Sequence, residues 1–230
     1  MSFRLALQES PGNPWFSWQY VRDNSDTIFA ALREHATLTA EAMLIATVVA
    51  VPLAVIAYWY RPLTGPILAL SGVLYTIPSL ALLAFVAPYV GTTNSGSVLI
   101  ALVLYALLLI VRNSLAGLNQ VPPEARDAAQ GMGYGRWGRL FRIDLPLALP
   151  GIITGLRLAT VSTVALVTVG ALIGYGGLGD LILTGFRNNF YKAEILTGAV
   201  LCVGLALVLD LVLATAGRLL MPWSRRGATR

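Results

Sequence analysis

The chain has 230 residues, 57% of them hydrophobic and 12% charged, with a mean hydropathy of +0.72. Soluble domains carry about 25% charged residues, so a water-soluble globule is excluded and an all-α, polytopic membrane protein is expected. The net charge of +5 does not point to nucleic acid here. The arginines gather beside apolar runs, which is a topology signal.

Residues 1–35 form a polar, partly amphipathic lead-in, with Trp15, Trp18 and Tyr20 as interfacial aromatics. Ser25 to His35 reads as a short helix on or near the surface. The lead-in lacks the basic-then-apolar layout of a cleavable signal, so the first span is expected to direct insertion. His35, the single histidine, reads as structural.

The first predicted span covers residues 36–60 and is closed by Arg61-Pro62. The second covers residues 63–90. Pro66, Pro78 and Pro88 lie within it, so one straight helix is not expected. Thr76, Pro78 and Ser79 mark an interruption. Pro78 frees a carbonyl, and the two hydroxyls can satisfy backbone groups nearby. This break is either a simple kink or part of a translocation path, as broken helices often are in transporters. Residues 91–97, "GTTNSGS", read as a polar turn. The third span covers residues 98–118 and holds Asn113, a second path or gate candidate that can equally cap the helix.

A basic island interrupts the apolar runs over residues 122–146. Pro122-Pro123 can open a helix at its first turn. The acids Glu124 and Asp127 suit the positive end of its dipole. Gly131, Gly133 and Gly135 are expected to break that helix. "RWGRLFRI" then reads as a second amphipathic segment, with Trp137, Leu140, Phe141 and Ile143 opposite Arg136, Arg139 and Arg142. Leu145-Pro146 is expected to end it. A small-residue face of Ala125, Ala128, Ala129 and Gly133 would allow close approach by another protein.

The fourth span runs from about Leu147 to Ile173, and the fifth over residues 195–221, before a basic tail at residues 222–230. The transmembrane domain is thus expected over residues 36–221. Arg157 and Asp210 lie inside spans four and five, each roughly 15 Å from the same membrane face at 1.5 Å per residue. A charge at that depth faces the bundle and finds a partner, so the two are expected to pair, as a static brace or as a gate. Between these spans, "GYGGLGD" lacks the following Lys-Ser/Thr of a phosphate loop. A tight outer-face turn is expected there. Cys202 has no partner cysteine. No metal cluster, nucleophile with its base or paired carboxylates occur, so no catalytic residue is assigned.

Ten basic residues fall on the side of the island and tail, against five on the other. By the positive-inside rule this gives five spans with the N-terminus outside.

The island resembles the cytoplasmic signature of permease subunits of bacterial ABC importers. That signature reads Glu-Ala-Ala, three residues, Gly, nine residues, Ile, one residue, Leu-Pro. This chain supplies Asp127-Ala128-Ala129, Gly133, Ile143 and Leu145-Pro146 at matching spacing, with Asp in place of Glu. "YTIPSLALLAF", "IVRNSLAGL", "RDAAQGMGYG" and "GYGGLGDLI" are similar to the subfamily that imports glycine betaine, carnitine, choline and related quaternary amines. Tyr75, Leu109 and Tyr175 depart from that subfamily, where Gln, Pro and Ala are expected.

The resemblance implies a type I (MetI-like) importer permease in the bacterial inner membrane. It implies a second permease subunit, cytoplasmic ATPase subunits that carry ATP and magnesium, and an extracytoplasmic binding protein that delivers substrate. It makes Asp127, Ala128, Ala129, Gly131, Met132, Gly133, Tyr134 and Arg136 the ATPase-coupling residues. The chain itself would bind no cofactor. Other readings are an importer of another small solute such as methionine, an ion-coupled secondary transporter, and an intramembrane enzyme.

Overall fold

The computed structural model describes residues 12–90 and 95–222. Among these the chain is helical throughout, without strands. Most of the predicted turn at residues 91–97, most of the basic tail and the first eleven residues of the lead-in lie outside the described residues.

A short helix, α1 (Trp18–Asp23), is capped by the Ser17 side chain, which accepts from the Tyr20 amide. It leads into α2 (Ser25–Trp59). The expected surface helix at Ser25 to His35 is therefore not separate. It is the head of the first span, and the boundary expected at residue 35 falls inside one continuous helix. The reason is facial. Asp26, Arg33, Glu34, Thr37 and Glu41 line an outer groove, while Ile28 and His35 on the opposite side are buried. Average polarity hid that inward stripe.

The second predicted span is broken as expected. Helices α3 (Arg61–Thr76) and α4 (Ser79–Val90) meet at a 98° bend. Helix α5 (Ser95–Asn119) begins earlier than expected, so Ser95, Gly96 and Ser97 belong to it rather than to a turn. Helix α6 (Pro123–Gly131) and the four-residue α7 (Arg136–Arg139) form the island. A π-helical turn (Leu140–Asp144) then runs directly into α8 (Leu145–Val167). Leu145-Pro146 thus does not break the helix but marks where the π turn gives way to α8, Pro146 being unable to donate to the turn before it. A 3-10 turn (Thr168–Ile173), α9 (Leu178–Arg187) and α10 (Lys192–Leu220) complete the chain. Among the described residues four helical stretches are long and apolar enough to cross a membrane, and the bent pair, taken as one span, brings the number to five.

The centre of the bundle is α2, α5 and α8. On α2, Ala42, Ala46, Ala50 and Ala54 are fully buried at four-residue spacing. On α8, Gly151 and Gly155 have the same spacing. A Cβ on Gly151 would stand 2.7 Å from the Gly117 Cα, and one on Gly155 would stand 2.8 Å from the Asn113 Cβ. Where lipid is as apolar as leucine, helices gain by close backbone contact, and small residues permit it. Helix α10 packs on α8 and α9 and leaves a long apolar face of Val200, Val203, Leu207, Leu211 and Val212 exposed.

Candidate functional site

Three features on the bundle carry the residues expected to matter: the island at the arginine-rich end, the broken second span, and the charge pair between α8 and α10.

In the island, α6 ends as the glycines predict. The Met132, Gly133 and Tyr134 amides bond back to the carbonyls of Ala128, Gln130 and Ala129, and Gly133 takes a left-handed φ of +82°. Only glycine adopts that conformation without strain. Asp127, Ala128, Gly131, Gly133 and Arg136 are exposed, and Met132 is 67% exposed. They form one outward face beyond the bundle. Tyr134 is half-buried. Ala129 is a correction: it is fully buried against its own chain and cannot meet another protein. Ala125 is half-buried. The i, i+4 geometry of α6 splits the small-residue stripe, since Ala128 and Ala129 point about 100° apart.

The island is fastened to the bundle by residues that sequence reading missed. Asp144, in the π turn, has no solvent exposure. The Arg139 Nε donates to its Oδ2 at 3.3 Å, and the Arg126 Nε lies 3.8 Å from its Oδ1. Arg126 also donates to the Leu118 carbonyl at 2.7 Å, at the end of α5, and lies over the Tyr58 ring. Arg136 stands 4.1 Å from the Trp59 ring centroid, and Trp137 meets Trp59 edge to face. One buried carboxylate therefore ties α7, and at longer range α6, to the root of α8, while α5 and α2 also hold Arg126. A π turn is a common mark of a functional site in a helix. Here it belongs to the joint between island and span. The signals available were Asp144 within the motif's variable position and the aromatic run "YWY" before Arg61.

At the broken span, Thr76 donates to the Val73 carbonyl at 2.8 Å, satisfying the backbone locally. The Ile77 carbonyl accepts from the Tyr105 hydroxyl, a partner from α5 that the sequence did not reveal. Tyr75 stands edge to face with Tyr105. Pro78 is exposed, and Ser79 borders a small apolar cavity with Leu83, Val98 and Tyr105. Asn113 is elsewhere. It donates to the Leu109 carbonyl at 2.7 Å within α5 and packs on Gly155, so it caps nothing and lies apart from the bend.

Arg157 and Asp210 do meet. The guanidinium donates to both carboxylate oxygens, Nε at 2.7 Å and Nη2 at 2.8 Å. The paired side chains keep 41% and 29% of their surface exposed. They line an open groove of about 610 Å³ with Thr154, Leu158, Val161 and Ser162.

At the opposite end, "GYGGLGD" is a tight turn with left-handed Gly174 and Gly177. A Cβ on Gly177 would stand 2.7 Å from the His35 Cβ. The buried His35 Nε2 lies 3.0 Å from the Val164 carbonyl oxygen and ties α2 to α8. The Gly176 amide donates to Asp180, whose carboxyl is pushed above its ordinary range by burial, against the pull of the Gly176 and Gly177 amides. Tyr20 is raised by burial and by the neighbouring Glu194 carboxylate.

Residues 35–226 match the family model described as "Binding-protein-dependent transport system inner membrane component". The chain is 35% identical to the osmoprotectant import permease protein OsmW of Salmonella typhimurium, over 84% of this chain and 92% of that protein. It is 35% identical to the choline transport system permease protein OpuBB of Bacillus subtilis, over 89% and 93%. It is 32% identical to the glycine betaine/carnitine/choline transport system permease protein OpuCD of the same organism, over 90% of each. Among solved structures, a chain of the inward-facing MetNI methionine ABC transporter superposes with a TM-score of 0.79 at 20% identity, covering 86% of this chain and 98% of that one. At that identity the likeness concerns the fold.

Proposed function

This chain belongs to the family of inner-membrane components of binding-protein-dependent transport systems, and from that premise we propose that it carries osmoprotectants such as glycine betaine, carnitine or choline across the bacterial inner membrane. It is a transport component, not a catalyst. The observation that carries the substrate class is the extent of identity to osmoprotectant permeases: at 31–35%, it spans 84% or more of this chain.

In this reading ATP and magnesium are held by separate cytoplasmic ATPase subunits, and an extracytoplasmic binding protein delivers the substrate. A second permease subunit completes the path. The exposed face of the island, from Asp127 to Gly133 with Tyr134 and Arg136 at its margin, seats in the ATPase. Motion there passes through Arg126, Arg139 and Asp144 to the root of α8, because a fully buried, paired carboxylate resists being pulled apart. Rigid helices then pivot about the path, and the bend at Pro78 lines it. Alternating access of this kind needs rigid bodies meeting at a site.

The test is uptake of radiolabelled glycine betaine into proteoliposomes that hold ATP inside, with the substrate-loaded binding protein outside. Uptake is expected to need both ATPase and binding protein and to persist once the proton gradient is collapsed. Uptake that vanishes with the gradient would make this chain an ion-coupled carrier.

A further inference from the structure

The Arg157–Asp210 pair joins a strong charge contact to an open setting. Its geometry is that of a firm brace, two short parallel hydrogen bonds. Its setting is not. The paired side chains are 41% and 29% exposed, whereas the Asp144 carboxylate is sealed. The pair belongs to two membrane-spanning helices, and ionised groups in that zone do not face hydrocarbon. What faces the groove must therefore be wet or polar at least part of the time.

The groove has the volume of a small-molecule site, about 610 Å³. It continues along α8 and α10 as an apolar trough past Val161, Ala165, Val203, Ala206 and Leu207, with Asp210 at its end. A cation, an anion and an apolar wall thus adjoin. Among the described residues no aromatic side chain lines either part, so this chain offers no cation–π cage there and its own hold on a quaternary ammonium is loose. A loose hold suits a substrate that has to enter and leave.

We propose that this groove is a passing site for a zwitterion, in which the Arg157 guanidinium takes the substrate carboxylate and Asp210 takes its quaternary ammonium, the methyl groups lying on the apolar trough. This rests on the osmoprotectant reading above. The zwitterion breaks one ion pair and makes two, so neither side chain is left uncompensated. A simple cation such as choline satisfies Asp210 but strands the guanidinium. The site therefore favours betaines over choline. The empty site closes on itself through the pair.

The test uses the whole transporter in proteoliposomes: this chain with its ATPase and binding protein, given labelled glycine betaine and labelled choline. Arg157→Gln removes the carboxylate partner and leaves Asp210 free for a cation. The glycine betaine-to-choline uptake ratio is expected to fall at least tenfold. A purely structural loss would lower both and leave the ratio unmoved, which overturns the proposal. A wild type that carries choline but no zwitterion also overturns it, while the osmoprotectant reading stands. A wild type that carries neither overturns both.

A second readout needs no substitution. Cys202 is the only cysteine of the chain and lines the apolar trough. A membrane-impermeant trimethylammonium methanethiosulfonate is expected to label it in the assembled transporter. Glycine betaine-loaded binding protein with ATP is expected to slow that labelling several-fold. No labelling, or labelling that substrate leaves unchanged, means that the groove faces lipid or protein rather than the path, and the proposal fails.

Discussion

Asp144 and Asp210 each face arginine, yet their settings are opposite. Asp144 is sealed, and its two arginine contacts are longer, at 3.3 and 3.8 Å. Asp210 has the shorter contact, 2.7 Å, in an open groove. Burial and bond length thus rank the two pairs in opposite order. For stability, burial decides. Removing one partner from a sealed pair strands a charge without water, at about 3–5 kcal/mol, whereas an exposed pair is worth about 1 kcal/mol or less. The sealed joint suits transmitting force, and the open pair suits exchanging partners.

The sharpest way to break this comparison is to remove each carboxylate in turn. Asp144→Ala is expected to lower the unfolding temperature of the purified chain markedly, with a cost towards the lower end of about 3–5 kcal/mol, since Arg126 and Arg139 keep some water contact. Asp210→Ala is expected to lower the unfolding temperature much less, since the pair is open on one side. Thermal unfolding in one detergent checks both. If Asp210→Ala is the more damaging, bond length outranks burial, and the roles assigned to the two pairs must be exchanged.

The same contrast of sealed and open recurs between adjacent residues of α6. Ala129 is fully buried, and Ala128 is exposed. Ala129→Leu is expected to destabilise the chain by about 1–3 kcal/mol through overpacking. Ala128→Leu should leave stability within about 0.5 kcal/mol and instead weaken capture of the ATPase subunit roughly tenfold, about 1.4 kcal/mol. Thermal unfolding and ATPase co-purification separate the two. Ala128→Leu binding at wild-type strength would remove this face from the docking surface.

These pairs also show what could be read in advance. Arg157 and Asp210 were legible because a charge within an apolar run stands out, and their depth from a common membrane face can be counted. The island was legible because proline and glycine punctuate it. Asp144 was not, since a carboxylate among arginines in a polar segment looks like ordinary surface, and only the fold reveals that it is enclosed. Ala129 was misplaced for a related reason. Adjacent residues of one type are alike in sequence, and the helix turn alone sends one in and the other out. The head of α2 was misread because its buried residues, Ile28 and His35, stand seven positions apart, and the charges Asp26, Arg33 and Glu34 around them make the segment look like surface. The Tyr105 bond to the Ile77 carbonyl spans 28 residues, and no local pattern announces it.

Asp180 sits between the two extremes and offers the smallest effect. It is half-buried and bonded to the Gly176 amide, and burial raises its carboxyl above the ordinary range. A carboxyl raised on folding binds its proton more readily in the folded chain than in the unfolded one. Its linkage contribution therefore grows as the pH falls from the folded value towards the ordinary carboxylate value, and it is lost as the pH rises through the folded value. Asp180→Asn keeps an oxygen for the amide but cannot titrate. As the pH is lowered towards the ordinary carboxylate value, the wild type is expected to gain on the variant in unfolding temperature. A difference that narrows instead would mean that the Gly176 and Gly177 amides outweigh burial, and Asp180 would then belong with charges that the fold stabilises.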